Sequence, residues 1–141
     1  MSSNESSIEN FLRSKTFAVA GASNDRAKFG NRVLLTLSAF GKAVTPLNPK
    51  ENEIEGMQAY ASVLNMPSPP EALSIVTPPA ITAHVVAQAI QAGVQRIWMQ
   101  PGAENFDASE QARIAGLDVI DDGSCILVEL RRSPNERERP S

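Results

Sequence analysis

Short apolar runs alternate along the chain with segments in which apolar residues recur every three or four positions. Runs that are only a few residues long and almost entirely apolar are typical of parallel strands covered on both faces. Thr16–Gly21 is such a run, and the shorter apolar stretches within Ala43–Leu47, Leu73–Thr77, Gln95–Gln100 and Leu117–Ile120 are interpreted as four further strands. The pattern therefore predicts five buried strands separated by helices.

The segments between these runs predict amphipathic helices. Their bounds are Asn31–Phe40, Ala59–Leu64, Ile81–Ala92 and about Ala108–Ala115. Gly93 follows the third helix as a left-handed stop, and Asp107 is the candidate N-cap of the fourth. A further short helix, capped by Asn4 or Ser6 and ending near Ser14, is predicted ahead of the first strand.

Strands that alternate with helices over this length predict an α/β fold, a Rossmann-like parallel sheet of five strands with helices on both faces. With the strands counted along the chain, the predicted order across the sheet is 3-2-1-4-5. Ligands of such sheets bind beyond the carboxyl ends of the strands, here near the switch between strands one and four. The ligand contacts are therefore expected in the loops that follow the strands.

The length of 141 residues fits one small domain. This domain is predicted to span residues 1–132, with residues 1–15 as a helix packed on it. Residues 133–141 are charged, contain proline and lack aromatic side chains. This composition predicts a disordered tail.

Charge and cysteine content narrow the partners and the compartment. The formal charge of -3 offers no basic field for a nucleic-acid backbone. No apolar run approaches the ~20 residues that a membrane-spanning helix needs. The single cysteine cannot form an internal disulfide, and the N-terminal residues lack the basic and apolar parts of an export signal. We expect a cytoplasmic protein without nucleic-acid or membrane partners, whereas a protein partner or a homo-oligomer is left open.

The loop after the first strand has the features of an anion site. Small residues from Gly21 to Ser23 let backbone amides approach a phosphate, and the helix that follows adds oriented N–H groups. Ser23 can donate a hydrogen bond, and Arg26 or Lys28 can neutralise phosphate charge. The alternative interpretation is a plain tight turn with solvated charges.

The same loop departs from the dinucleotide-binding fingerprint Gly-x-Gly-x-x-Gly, because Ser23 and Arg26 occupy the second and third glycine positions. The second strand is followed by Asn48 and Lys50 rather than by the acidic residue that an NAD ribose requires. Lys50 suits a phosphorylated ribose, which both coenzyme A and NADP contain. A solvated loop lysine is the alternative.

The loops after strands three and four are rigid or open. Thr77 is followed by Pro78 and Pro79, which fix the backbone and can enter the first turn of a helix. Gln100 can hydrogen-bond polar ligand groups, and Gly102 permits close backbone approach. Trp98 lies inside a strand, so we interpret it as a core residue.

Five motifs in this order resemble the small stand-alone CoA-binding domain family. They are Gly21-Ala22-Ser23, Pro46-Leu47-Asn48-Pro49, Thr77-Pro78-Pro79, Trp98-Met99-Gln100-Pro101-Gly102-Ala103, and a late Asp122 with Cys125, together spanning about Thr16 to Leu130. The family is similar in fold to the CoA-binding domain of the succinyl-CoA synthetase α subunit. The resemblance implies a pyrophosphate at Ser23 and the adjacent helix. It also implies adenosine along Asn48, Lys50 and residues 77–79, and the pantetheine arm towards residues 100–103.

The candidate ligand contacts combine the loop chemistry with this resemblance. They are Gly21, Ala22, Ser23, Lys28, Asn31, Asn48, Lys50, Thr77, Pro78, Pro79, Gln100, Gly102 and Ala103. The expected cofactor is coenzyme A. Cys125 is interpreted either as a buried apolar residue or as a thiol near the pantetheine end.

Little in the sequence predicts catalysis. His84, the only histidine, has no serine, cysteine or acidic partner nearby in the sequence, and the counts of Cys and His exclude a Cys/His metal site. The expected function is a non-catalytic module that binds or senses CoA or an acyl-CoA, with enzymatic activity left open. The alternatives are an NADP-binding reductase or redox-sensing domain, and an interaction domain whose cofactor loops are vestigial.

Overall fold

The computed structural model describes residues 3–132. Its strands are β1 (Thr16–Ala20), β2 (Ala43–Leu47), β3 (Glu53–Ile54), β4 (Met57–Gln58), β5 (Ala72–Ile75), β6 (Arg96–Met99) and β7 (Asp118–Ile120). Its α-helices are α1 (Ser3–Leu12), α2 (Phe29–Ala39), α3 (Pro79–Ala92), α4 (Phe106–Ile114) and α5 (Ile126–Arg132). A short 3₁₀ helix covers Val63–Asn65. No helix in the described part of the chain is long and apolar enough to cross a membrane. The predicted tail at residues 133–141 lies outside the described residues.

Five of the strands form one parallel sheet in the order β2-β1-β5-β6-β7. The predicted five-stranded parallel sheet is confirmed, but the predicted order 3-2-1-4-5 is wrong. The third predicted strand, β5, pairs with β1 instead of with β2, so β2 lies at the edge. Pro46 explains this placement, because a proline in β2 has no N–H to donate to a second neighbouring strand. The strand order therefore changes direction at this point: β2 lies on one side of β1, and β5, β6 and β7 follow in turn on the other side.

Helices cover both faces of the sheet, as predicted. Side chains of α1, α2 and α5 form one apolar cluster with Phe17 and Val19 of β1. Side chains of α3 and α4 form a second cluster with Ala18 and Ala20 of the same strand. Successive side chains of a strand point to opposite faces, so β1 contributes to both clusters. Burial on both faces accounts for its continuous apolar sequence.

The structure confirms that Trp98 is a core residue, as its place inside a strand predicts. Its side chain is fully buried in β6, and its ring meets the Phe11 ring edge-on, with 5.2 Å between centroids. The indole Nε1 donates a hydrogen bond to the Ser124 carbonyl at 2.9 Å. A buried indole N–H needs such an acceptor, and here it links β6 to the segment that leads into α5.

Local structure differs from prediction mainly after β2. The predicted helix Ala59–Leu64 is replaced by extended chain and the 3₁₀ helix, because Tyr60 pairs with the end of β2. The Tyr60 N–H donates to the Pro46 carbonyl at 3.2 Å, and the Tyr60 carbonyl accepts from Asn48 at 2.9 Å. The β3–β4 hairpin and α5 were not predicted. At α4 the N-cap is Asn105 rather than Asp107, and its side chain accepts from the Ala108 N–H.

Candidate functional site

The turn between β1 and α2 forms, together with the first residues of α2, a close-packed glycine loop, residues 21–31, at the carboxyl ends of the strands. Gly21 has a φ of +89°, and a Cβ there would overlap the Val76 carbonyl oxygen at the end of β5. A Cβ on Gly30, in the first turn of α2, would overlap the Gly21 carbonyl oxygen. The loop therefore requires glycine at two positions. Gly30 makes the close helix–strand contact that the fingerprint spacing would place at residue 26.

Two asparagine side chains hold the backbone of this glycine loop. The Asn48 Nδ2 group, at the end of β2, donates to the Ala22 carbonyl at 2.9 Å. The Asn31 Nδ2 group, on a buried side chain of α2, donates to the Ser23 carbonyl at 2.8 Å. The predicted candidates Asn31 and Asn48 thus both lie at the loop, and both amides contact its backbone.

The start of α2 is arranged to receive an acceptor from outside the helix. Its N-cap residue, Lys28, has an extended backbone and makes no side-chain capping hydrogen bond. The first N–H groups of a helix need external acceptors and carry partial positive charge. Ser23 is half-buried, and its Oγ accepts from the Asp25 N–H at 3.0 Å, so its hydroxyl hydrogen can be donated elsewhere.

The β3–β4 hairpin packs against the glycine loop. Its turn residue, Glu55, accepts hydrogen bonds from Arg26 Nε and Nη2, both at 3.0 Å, and from Asn31 Nδ2 at 2.7 Å. Hydrogen bonds from Arg26 and then from Asn31 lower the pKa of the Glu55 carboxyl from its usual value. The hairpin therefore places a carboxylate beside the loop, with each of its oxygens already engaged.

Two clefts open at the carboxyl edge of the sheet, one on each side of Thr77. The wide cleft has a volume of about 500 Å³. Its walls are formed by Phe29, Val76, Thr77, Pro78, Pro101, Gly102, Ala103 and Cys125. Apart from Thr77 and the backbone, these groups are apolar or weakly polar. The wide cleft therefore suits a long, weakly polar chain.

The narrow cleft has a volume of about 240 Å³ and lies between the end of β2 and α3. Its walls are formed by Ala20, Gly21, Leu47, Pro49, Ala61, Ser62, Val63, Thr77, Ile81, His84, Val85 and Gln88. Apolar side chains predominate, and His84, Gln88 and Ser62 add hydrogen-bonding groups. This combination suits a flat heterocycle with polar edges.

The helix α3 fixes the wall shared by the two clefts. Pro78 is its N-cap and Pro79 its first residue, which confirms the predicted helix entry. The Thr77 and Thr82 hydroxyls lie 2.8 Å apart, so one donates to the other and Thr77 is held against α3. Asn105 Nδ2 donates to the Pro79 carbonyl at 2.9 Å, which joins the starts of α3 and α4.

The structure brings most of the predicted contacts to this edge but places their side chains in different ways. Gly21, Thr77, Pro78, Gly102 and Ala103 line the clefts. Lys28 and Lys50 are exposed, the first within the glycine loop and the second just after the end of β2.

Gln100 occupies a different position from the one that its loop suggests. Its side chain is fully buried, with Nε2 donating to Ser74 Oγ at 3.2 Å. Its Oε1 accepts from the Ile126 N–H at 2.9 Å, at the first residue of α5. Both ends of the amide therefore contact the protein interior rather than a cleft.

Sequence reasoning missed several wall residues because each depends on tertiary contacts. Phe29 and Val76 belong to predicted elements or loops, but nothing in their local sequence indicates a cleft. His84, for which the sequence predicts no catalytic partner, is exposed at the narrow cleft. Cys125 is half-buried directly before α5 and lines the wide cleft, so it is neither a fully buried residue nor a remote one.

The chain is similar in sequence to part of a longer ligase subunit. An ADP-forming acetate–CoA ligase II subunit alpha from Pyrococcus furiosus is 32% identical over 91 residues, which cover 64% of this chain and 20% of that protein. The chain thus spans about a fifth of the length of that relative.

Solved structures extend the similarity to the fold. A hypothetical protein from Pyrococcus horikoshii OT3 is 34% identical, with a TM-score of 0.86 over 92% of this chain and 90% of that one. The apo dinucleotide-forming acetyl-coenzyme A synthetase 1 of Candidatus Korarchaeum cryptofilum is 26% identical, with a TM-score of 0.70 over 79% of this chain and 27% of that one. The family model described as CoA binding domain matches residues 15–131, so the chain belongs to the CoA-binding domain family.

Proposed function

We propose that the protein binds coenzyme A, free or acylated, as a binding or sensing module without catalytic activity of its own. The observation that carries this proposal is the pair of clefts that share Thr77, with Gly21 of the glycine loop in the wall of one of them. Coenzyme A is long, with a flat adenine at one end, a pyrophosphate in the middle and a weakly polar arm at the other. The site offers a matching environment for each part.

The pyrophosphate is assigned to the glycine loop. The Ser23 hydroxyl and the uncapped start of α2 supply hydrogen-bond donors, and Lys28 supplies positive charge nearby. In this assignment Asn31 and Asn48 hold the loop backbone and do not need to touch the phosphate. Membership of the CoA-binding domain family supports the choice of ligand.

The two ends of the ligand are assigned to the two clefts. The narrow cleft receives adenine between apolar side chains, with His84 and Gln88 available to its polar edge. The wide cleft receives the pantetheine arm, which would end in a pocket that includes the Cys125 thiol. Its volume of about 500 Å³ leaves room for an acyl group beyond the sulfur.

A role in binding rather than in catalysis rests on the positions of the reactive side chains. The chain has a single histidine and a single cysteine. His84 lines the narrow cleft and Cys125 the wide one, so they do not form a nucleophile–base pair. The curated relatives are much longer than this chain, whose match covers 20% of one of them and 12% of another.

Lys50 provides a test of how the ribose end is bound. It is exposed after β2, and its N–H donates to the Asn48 Oδ1 at 2.7 Å, so its backbone is fixed at the edge of the site. If Lys50 pairs with the 3′-phosphate, Lys50→Ala should weaken CoA binding about five-fold, as expected for a solvent-screened ion pair. Dephospho-CoA, which lacks this phosphate, should bind the variant and the wild type equally well. Calorimetric titration of both ligands measures the difference.

Lys15→Ala is the matched control, because it removes the same charge from an exposed position. Lys15 directly precedes β1 and so lies at the amino ends of the strands, opposite the proposed site. It should leave both affinities unchanged. An equal loss for CoA and dephospho-CoA in Lys50→Ala would show that Lys50 does not recognise the ribose phosphate.

A further inference from the structure

We infer that Glu55, at the turn of the β3–β4 hairpin, is a positioning residue that holds the glycine loop in its ligand-binding shape. This inference rests on the proposed function, because it assigns the ligand phosphates to that loop. It concerns a residue that lies outside the clefts and outside every sequence motif discussed above. Three sets of contacts carry it.

The first set runs through Asn31. This side chain is only 1% exposed, and its single amide nitrogen has two hydrogens to donate. One hydrogen bond goes to the Ser23 carbonyl at 2.8 Å and the other to Glu55 Oε2 at 2.7 Å. Removing the carboxylate would leave a buried N–H without its acceptor, so Asn31 would no longer be fixed in the orientation that holds Ser23.

The second set runs through Asn24, on the exposed side of the glycine loop. The Glu55 N–H donates to Asn24 Oδ1 at 2.9 Å, and Asn24 Nδ2 donates to the Glu53 carbonyl at 3.0 Å. One asparagine side chain thus pairs with the hairpin backbone much as a neighbouring strand would. The hairpin is therefore joined to the loop at both its buried and its exposed sides.

The third set is the ion pair with Arg26, which we expect to contribute least. The Arg26 side chain is 77% exposed, whereas that of Glu55 is 11% exposed. Solvent screens such pairs, so their loss changes stability little even when the geometry is bidentate. The hydrogen bond to Asn31, on the buried side, is the contact that should matter most.

The backbone conformation of Glu55 allows a role in positioning the loop to be distinguished from a role in forming the turn alone. Glu55 has a φ of +53°, in the left-handed region that a non-glycine residue adopts only at a cost. If this position served the turn alone, glycine would be better than glutamate. If the side chain holds the loop, glycine should relax the backbone and still release the loop.

Hydrogen exchange on the ligand-free protein, followed by CoA titration, tests this inference with three variants. Glu55→Gly removes the carboxylate and relieves the backbone. Glu55→Gln keeps an oxygen that accepts from Asn31, and Arg26→Ala removes only the exposed ion pair. In Glu55→Gly, amides 22–31 should exchange about tenfold faster and the Kd for CoA should rise about tenfold, as the loss of one buried hydrogen bond implies. Glu55→Gln should stay within about threefold of the wild type for both quantities, and Arg26→Ala should stay within about threefold of the wild type in exchange.

Asn24→Ala gives an independent test should Glu55→Gly fold poorly, because it removes the exposed link and leaves Glu55 in place. It should also speed exchange in residues 22–31. Wild-type exchange of these amides in a folded Glu55→Gly protein would overturn the inference, as would wild-type exchange in Asn24→Ala if Glu55→Gly does not fold. So would faster exchange in Glu55→Gly combined with an unchanged affinity for CoA. Failure of the wild type to bind CoA would remove the proposed function instead, and exchange in the ligand-free variants would still show whether Glu55 holds the loop.

Discussion

Gly30→Ala is expected to destabilise the protein by about 3 kcal/mol and to weaken CoA binding by at least about tenfold. A Cβ at this position would overlap the Gly21 carbonyl oxygen, a backbone atom that cannot turn aside as a side chain could. Relief requires α2 to move away from the end of β1, which would carry the start of the helix away from the proposed phosphate position. Urea denaturation and calorimetry measure the two effects.

The expected direction of the change in stability makes Gly30→Ala informative. Glycine to alanine inside an ordinary helix stabilises by about 1 kcal/mol, so a loss of stability at Gly30 reports the close approach and not helix propensity. Gly116→Ala is the control, because Gly116 has a φ of +95° but, among the described residues other than its two chain neighbours, no atom lies within 4 Å of the place that a Cβ would occupy. Backbone strain alone should cost the control about 1–2 kcal/mol and leave CoA affinity unchanged. A Gly30→Ala protein as stable as the wild type would contradict the close packing of α2 on β1.

Gln100→Leu is expected to cost about 2–4 kcal/mol of stability, because it leaves two groups in the protein interior without their partner. The Ile126 N–H, at the start of α5, loses its hydrogen-bond acceptor. Ser74 Oγ, on β5, loses its hydrogen-bond donor. The start of α5 should then fray, which hydrogen exchange across residues 126–132 would detect. Urea denaturation gives the loss of stability.

This variant also distinguishes two roles for Gln100. Sequence reasoning predicted a direct ligand contact, whereas the structure places both ends of the side chain on protein groups. Gln91→Leu, at an exposed position of α3, is the control for the change from amide to leucine and should be close to neutral. Normal stability of Gln100→Leu together with lost CoA affinity would favour the direct contact and contradict the structural role.

The fold class could be predicted because buried parallel strands and amphipathic helices have different hydrophobic periods. The five runs of the sheet and most helix bounds follow from that contrast alone. Strand order does not follow from it, because the apolar residues of a strand show that it is buried but do not show which strands are its neighbours. Pro46 carried the missing information: a strand with proline near its end is better placed at an edge than between two neighbours. Pro46 therefore favours the observed order, with β2 at the edge of the sheet.

The location of the candidate site could be predicted more readily than the direction of its side chains. Parallel strands bring their carboxyl-end loops together, so Gly21, Thr77 and Gly102 lie where the sequence placed them. The amides of Asn31, Asn48 and Gln100 lie at the same edge but contact the protein, because their partners come from distant parts of the chain. Local sequence carries no signal for such partners. Their direct contact with a ligand stays a prediction.

The hairpin shows a second limit of sequence reasoning. Glu53–Ile54 and Met57–Gln58 are too short for a period of two to be recognised, and polar residues around them suggest a loop. Only the folded chain brings Glu55 to Asn31. A charged residue in a loop would otherwise be interpreted as solvated.

Calorimetric titration of the purified protein with CoA, acetyl-CoA, NADP and NAD under identical conditions tests the central claim most directly. Binding of CoA or acetyl-CoA, tighter than that of NADP and NAD, is the result that our account predicts. Tighter binding of NADP than of CoA, or no binding of any of these ligands, would contradict it.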